Sequence, residues 1–169
     1  MTESLTNSRD LKTLMLSCKT CSSATQHGRN IIHHSILPHK RIRTGKLCAL
    51  IVNTKSPLES VGHWFCLLKF NNVFTLVDGV GYTLNRPDVM NNIKKFCRLN
   101  NSSLYTMKLR FQKTSSFKCG FLAMAIIAKY HSIPSKQFHN LENILKRNSI
   151  TFNEKLLLDF CQKHFSFSI

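Results

Sequence analysis

The segment Lys118-Cys119-Gly120-Phe121-Leu122-Ala123-Met124-Ala125-Ile126-Ile127-Ala128-Lys129-Tyr130 constrains the fold more than any other stretch of the chain. Every residue from Phe121 to Ala128 is apolar, so at helical length this segment has no face to give to water and must be enclosed by other elements. Its first turn carries Cys119 and Gly120. A helix N-terminus presents unpaired N–H groups and about half a positive charge, which stabilises a thiolate, and a glycine there lets a substrate backbone approach closely. A cysteine taken alone is more often a small core residue. Whether this one is a nucleophile depends on partners from elsewhere in the chain.

The 169 residues fit a single domain, 1–169, large enough to bury a core without staples. No apolar run approaches the length of a membrane span, and Met1-Thr2-Glu3-Ser4 does not open a signal peptide. The expectation is an intracellular protein with no membrane association. The cysteines, Cys18, Cys21, Cys48, Cys66, Cys97, Cys119 and Cys161, form an odd set without the rhythm of a disulfide framework, which fits free thiols in a reducing compartment. Lys plus Arg outnumber Asp plus Glu by 24 to 8, giving a formal charge of +16. That excess favours polyanions through counterion release. The basic residues are scattered (Lys40, Arg41, Arg43, Lys46, Lys94, Lys95, Arg98, Lys108, Arg110, Lys146, Arg147) and no base-reading module accompanies them. The expected partner is therefore DNA or RNA, bound without regard to sequence.

Leu11, Leu14 and Met15 recur at helical spacing and predict a short helix from Ser8 to Leu16, with Ser8 able to cap it. Residues 17–43 hold no period and read as loop. Leu47 to Val52 is continuously apolar at strand length and predicts a central strand covered on both faces. His63 to Phe70 and Val73 to Asp78 are two further apolar runs joined by Asn71-Asn72, a two-residue hairpin turn because asparagine tolerates positive φ. In that register Phe70 faces Val73, and His63 and Asp78 become diagonal neighbours on one face, about 7–8 Å apart at the backbone. Trp64 points the other way. Arg86-Pro87-Asp88 opens a helix with Val89, Ile93, Phe96 and Cys97 along one face, ended by Asn100 to Ser103. Tyr105, Met107, Leu109 and Phe111 alternate with polar residues and predict a half-buried strand. After the Cys119 helix, two amphipathic helices are expected, through Phe138, Leu141, Ile144 and Leu145, and from Asn153 through Leu157, Phe160, Cys161 and His164. The fold class is α+β: one mixed central sheet packed by helices, the nucleophile candidate at the N-terminus of a buried helix.

Cys18-x2-Cys21 followed after twelve residues by His34-x4-His39 satisfies the ligand spacing of a two-cysteine, two-histidine zinc finger. The small core of such a finger is half missing, because Thr25 stands where an aromatic residue belongs and only Ile31 fills its apolar place. In a chain with 7 Cys and 8 His the spacing is expected to be coincidental, and no metal is required for chemistry.

A cysteine protease needs a thiolate, an imidazole that takes and returns its proton, a carboxylate that orients the imidazole, and donors for the oxyanion. His63, Asp78, Gln112 and Cys119 occur in that order. Singly each is weak: a strand histidine is usually structural, and an Asp before Gly79 is usually a turn former. Their combination, with His63 and Asp78 on one sheet face and Cys119 opening a helix, is what carries weight.

Gly62-His63-Trp64, then Leu76-Val77-Asp78-Gly79-Val80-Gly81, then Gln112 with six residues between it and Cys119-Gly120, resembles the pattern of the adenovirus-type endopeptidases, the adenains, within the clan that includes the SUMO-specific proteases. Lys46 to Thr54 is similar to the strand before the catalytic histidine of the viral enzymes, and Asp10-Leu11-Lys12 to their N-terminal helix. The resemblance implies Cys119 as nucleophile, His63 as general base and acid, Asp78 as the residue orienting His63, and the Gln112 side chain with the Cys119 backbone N–H as oxyanion hole. Asp78 departs from the glutamate usual in adenovirus enzymes and matches the aspartate of the SUMO proteases. The resemblance also implies cleavage after glycine in viral precursor and capsid proteins during virion maturation, in the host nucleus and the virion, by a monomer stimulated by DNA and by a capsid-derived peptide. The cysteine to which that peptide can be linked in the family is Asn101 here, with Cys97 nearby but out of register. Two alternatives stand beside this reading: a protease for ubiquitin-like proteins using the same four residues, and a non-catalytic nucleic-acid-binding protein with a zinc site at Cys18, Cys21, His34 and His39.

Overall fold

The computed structural model describes residues 8–43, 48–55, 62–114, 116, 118–130 and 142–166. Within them the fold is α+β, a mixed sheet of five strands packed by helices. The strands β1 (Ile31–His33), β2 (Cys48–Asn53), β3 (Trp64–Phe70), β4 (Val73–Val77) and β5 (Ser103–Thr106) lie in sequence order. The outer pairs β1·β2 and β4·β5 are parallel and the inner pairs antiparallel. No helix among the described residues is long and apolar enough to cross a membrane.

Both sheet faces are covered, which is why β2 and β3 read as unbroken apolar runs rather than as alternating ones. One face, carrying Ala49, Ile51, Cys66, Leu68 and Phe70, packs on helix α4 (Cys119–Tyr130). Around α4 lie α1 (Ser8–Leu16), α2 (Lys19–Ala24) and α5 (Ile150–Phe165), through Leu11, Met15, Cys21, Leu157, Cys161 and Phe165. Leu122, Met124, Ile126 and Ile127 are 0–1% exposed, so the helix is enclosed as its sequence demands. Each such side chain contributes about 1.5–3 kcal/mol relative to exposure. The opposite face, with Leu50, Val52, Phe65, Leu67, Phe74 and Leu76, packs on Val89, Ile93 and Phe96 of α3 (Pro87–Leu99).

The expected α1, α3, β3–β4 hairpin and α4 are present, with Pro87 in the first turn of α3 and Asn71 at φ 53° in the turn. β2 is an interior strand flanked by β1 and β3, while β3 is the middle one. Leu47, expected to begin β2, and the Phe138 and Leu141 part of the penultimate helix lie outside the described residues. A helical turn at 142–146 buries Leu145 and exposes Ile144.

Two expectations are corrected. Residues 17–43 are not a loop: they form α2, β1 and a 3-10 helix at His34–His39. α2 has no side-chain cap hydrogen bond and is held by burying Cys21 and Ala24, and β1 exists because it pairs with Ile51 to Asn53. Neither leaves a local sequence signal. The strand expected over Tyr105 to Phe111 instead covers Ser103–Thr106 and in opposite phase, with Leu104 against the α3 cluster and Tyr105 38% exposed. Its parallel ladder pairs Leu104 with Phe74 and ends at Leu76 and Thr106, so partner register overrides the alternation. Met107 and Phe111 are buried as expected, but in the irregular chain that follows β5, where the Met107 N–H still donates to the Leu76 carbonyl.

Candidate active site

The site lies where the β3–β4 hairpin meets the N-terminus of α4. His63 immediately precedes β3, and its backbone is pinned to Thr54 in both directions. The Thr54 N–H donates to the His63 carbonyl at 2.9 Å, and the His63 N–H donates to Thr54 Oγ1 at 3.1 Å. The hairpin register runs from Phe70 opposite Val73 to Cys66 opposite Val77. One step further it makes His63 and Asp78 the diagonal neighbours deduced from sequence, and their side chains meet, His63 Nε2 to Asp78 Oδ1, at 2.6 Å.

Asp78 is 3% exposed and its remaining capacity is filled. The Thr83 N–H (2.9 Å) and Thr83 Oγ1–H (2.8 Å) donate to Oδ2, and the Val80 N–H (3.1 Å) donates to Oδ1. This cradle depends on the tight chain path from Gly79 to the 3-10 helix Tyr82–Asn85, in which Gly81 takes φ 74°, a conformation that favours glycine. A Cβ on Gly79 would stand 2.9 Å from Phe111 Cε2 and 3.0 Å from Gln112 Cβ. Gly79 therefore permits the close approach of the Gln112 segment, whose backbone N–H groups at Phe111 and Gln112 both donate to the Gly79 carbonyl.

Cys119 is the first residue of α4 and 8% exposed, with the Trp64 backbone N–H donating to its Sγ at 3.3 Å. Cys119 stands close enough to His63 to raise the proton affinity of its ring, after Asp78, to which the ring is hydrogen-bonded. Gln112 is 2% exposed and its Nε2 donates to the Ser116 carbonyl at 2.9 Å, which uses one of two amide hydrogens. Gln112, Gly79 and Cys119 share a narrow cavity of about 10 Å³ with Leu122 and Ile126, room for roughly one water.

Burial by itself would lower the His63 pKa, but the hydrogen bond to Asp78 and then the neighbouring Cys119 sulfur outweigh it and push the imidazole up to about 10. Burial likewise opposes ionisation of Asp78, yet the hydrogen bonds from His63 and Thr83 hold its carboxyl below the usual range. The pair is thus built to keep a proton on the ring beside a carboxylate.

All four residues singled out from sequence, His63, Asp78, Gln112 and Cys119, come to this one place. Sequence reasoning missed Thr83, Thr54 and Tyr82, whose ring stands edge-on to His63 at 5.7 Å. The Asp-Gly-x-Gly run signalled a turn and the bond from Val80, but nothing local marked Thr83 as the donor to the second oxygen. The finger residues behave differently. Cys18 and Cys21 are adjacent, whereas His34 is buried with a hydrogen bond to Asn92 of α3 and His39 ends the 3-10 helix that packs beside α3. In their place His164 of α5 joins the two cysteines.

Among known proteins, no family model, no curated protein and no solved structure matches this chain.

Proposed function

We propose that the protein is a cysteine endopeptidase of the adenovirus type. Its activity is cleavage after glycine in viral precursor and capsid proteins, in the host nucleus and the virion. The observation that carries this reading is the His63 ring bonded to the Asp78 carboxylate beside Cys119, whose sulfur accepts from the Trp64 N–H at the N-terminus of an enclosed helix. A structural histidine needs one partner; here the ring is held by a carboxylate, and the Cys119 sulfur accepts from the N–H of Trp64, the next residue, so the groups that nucleophilic catalysis requires are neighbours.

In the proposed reaction, His63, whose raised proton affinity lets it hold the Cys119 thiol proton before the substrate arrives, leaves Sγ as the thiolate that bonds to the carbonyl carbon of the substrate glycine. The carbonyl oxygen becomes an oxyanion, received by the Cys119 backbone N–H and the second amide hydrogen of Gln112. The C–N bond then breaks, His63 passes its proton to the departing amine, and a thioester remains on Cys119. Water, giving a proton to His63, attacks the thioester and releases the carboxylate. Asp78 stays ionised throughout and keeps the ring oriented. Burying that carboxylate is tolerable only because His63, Thr83 and Val80 fill its acceptor sites.

The charge of +16 supports stimulation by DNA. Arg98 ends α3, and Lys40 to Arg43 are tied to the same helix end by Asn100, which donates to the Lys40 carbonyl and accepts from the Ile42 N–H. The basic segment Lys40, Arg41 and Arg43 is thereby anchored by its backbone beside the last turn of α3, which carries Arg98, while the Lys40 ammonium donates to the Arg29 carbonyl. A capsid-derived peptide remains part of the proposal as a non-covalent activator, since Cys97 is 3% exposed and Asn101 offers no thiol.

The test is labelling with a thiol-directed peptide probe ending in glycine, with and without DNA, and location of the modified residue by mass spectrometry. The expected result is selective modification of Cys119, faster with DNA and absent in His63→Ala. Equal labelling of several cysteines, unaffected by His63→Ala, would overturn the reading. Faster turnover of a SUMO or ubiquitin fusion than of a Gly-Gly peptide would place the enzyme with the proteases for ubiquitin-like proteins instead.

A further inference from the structure

A second cluster of thiols and imidazole lies outside the proposed catalytic machinery. Cys18 immediately precedes α2 and Cys21 sits in its first turn, so the three-residue spacing brings both thiols to one side of the helix start. His164, near the C-terminal end of α5, brings Nε2 to 3.2 Å from Cys18 Sγ. The three donor atoms lie within 4.8 Å of one another.

The donor chemistry is selective. Two thiols and one imidazole suit a borderline-soft divalent cation that accepts tetrahedral geometry, zinc above all, and suit calcium or magnesium poorly. With bonds of about 2.0–2.3 Å, such a cation holds its ligand atoms roughly 3.3–3.8 Å apart, so closing the triangle requires side-chain movements of about 1 Å. The imidazole is already oriented: it stacks on Phe160 at 5.3 Å and 19°, and meets Phe165 edge-on at 4.8 Å. Exposure is graded, with Cys21 buried, Cys18 half-buried and His164 exposed, which gives a cation a solvent side to enter from and a dry side to settle against. Cys161 stands one turn before His164, on the buried stripe of α5. The chain thus presents Cys18-x2-Cys21 from one end and Cys161-x2-His164 from the other.

We propose that Cys18, Cys21 and His164 bind one zinc-type divalent cation that clamps the N-terminal segment to the C-terminal helix. Binding displaces the two thiol protons and forms two metal–sulfur bonds and one metal–nitrogen bond, with no change of oxidation state. The ligands are separated by up to 146 residues, and closing so long a loop constrains the unfolded chain strongly. Because α2 and α5 both pack on α4, the clamp braces the layer around the helix that carries Cys119. It does not depend on the protease reading, since its readout is metal binding.

The experiment uses the untagged full chain, purified under reducing conditions, with metal content measured and cobalt(II) titrated into the stripped protein. The expected result is one equivalent of zinc, and on cobalt a tetrahedral visible spectrum with a thiolate charge-transfer band. Both survive in His34→Gln and His39→Gln, are lost in Cys18→Ser, and are weakened at least about tenfold in His164→Ala, while zinc raises the melting temperature of the parent protein. Should Cys18→Ser fail to fold, His164→Ala, at an exposed position, decides. A featureless cobalt titration of the reduced parent would overturn the proposal, as would dependence on His34 and His39 rather than His164. A Cys18–Cys21 disulfide with no metal uptake after reduction would do the same.

Discussion

The clusters at His63 and at His164 are made of nearly the same side chains and are set up for different chemistry. At His63 one sulfur lies beside an imidazole whose Nε2 is held by a carboxylate 3% exposed. At His164 two sulfurs face an imidazole at the surface, backed by aromatic rings. A carboxylate behind the ring raises its proton affinity and suits it to accept a proton from sulfur. A second sulfur in front of the ring, with no carboxylate in the cluster among the described residues, suits the group to share a cation. What lies behind and beside the histidine, rather than the Cys–His pairing itself, separates the two roles.

The sharpest way to break the comparison is Cys119→Ala. Hydrolysis of a fluorogenic peptide with glycine before the scissile bond is expected to fall about 10⁴-fold or more, with zinc content unchanged. If peptidase activity survived there and vanished in Cys18→Ser, the roles of the two clusters would be reversed.

Asp78→Asn should cost about 10³–10⁴-fold in kcat while leaving the ring in place. It also has a pH signature in stability. Folding raises His63 from 6.5 to about 10, so its share of stability is complete below about pH 6.5 and is lost as pH climbs through about 10. Asp78 is lowered, so its share is present above its unfolded pKa of about 3.9 and is lost on acidification. The difference in melting temperature between parent and Asp78→Asn is therefore expected to be widest between about pH 4 and 6.5, and to narrow on both sides. A difference that did not vary with pH would mean that the pair is not ionised.

Gln112→Ala is expected to lower kcat about 10²–10³-fold with little change in KM, the signature of a donor that acts on the oxyanion. A loss confined to KM would reassign Gln112 to ground-state binding. Thr83→Val keeps the shape and removes one of the two bonds to Asp78 Oδ2. Losing one hydrogen bond to a charged group should destabilise the fold by about 1.5–3 kcal/mol, measured by urea denaturation. The smallest expected effect is at the surface: Arg98→Gln should reduce the slope of log affinity for duplex DNA against log salt by about 1, without altering sequence preference.

Much of the candidate site was legible because its parts are spaced locally. A two-residue Asn-Asn turn fixes hairpin register, register fixes which residues share a face, and a wholly apolar helix announces both its burial and the cysteine at its start. By itself the sequence determined the enclosed helix α4, the hairpin, α3 with its buried stripe, and the meeting of His63 with Asp78. Only the tertiary structure decided the phase of β5, which follows its partner strand rather than its own alternation, and the existence of α2 and β1, which are too short to carry a period. It also decided which histidine joins Cys18 and Cys21: spacing nominated His34 and His39, and helix packing delivered His164 from the other end of the chain. The physical reason is range, since a turn or a helical period acts over a few residues, whereas a contact between the two ends of a chain exists only once the core between them has condensed.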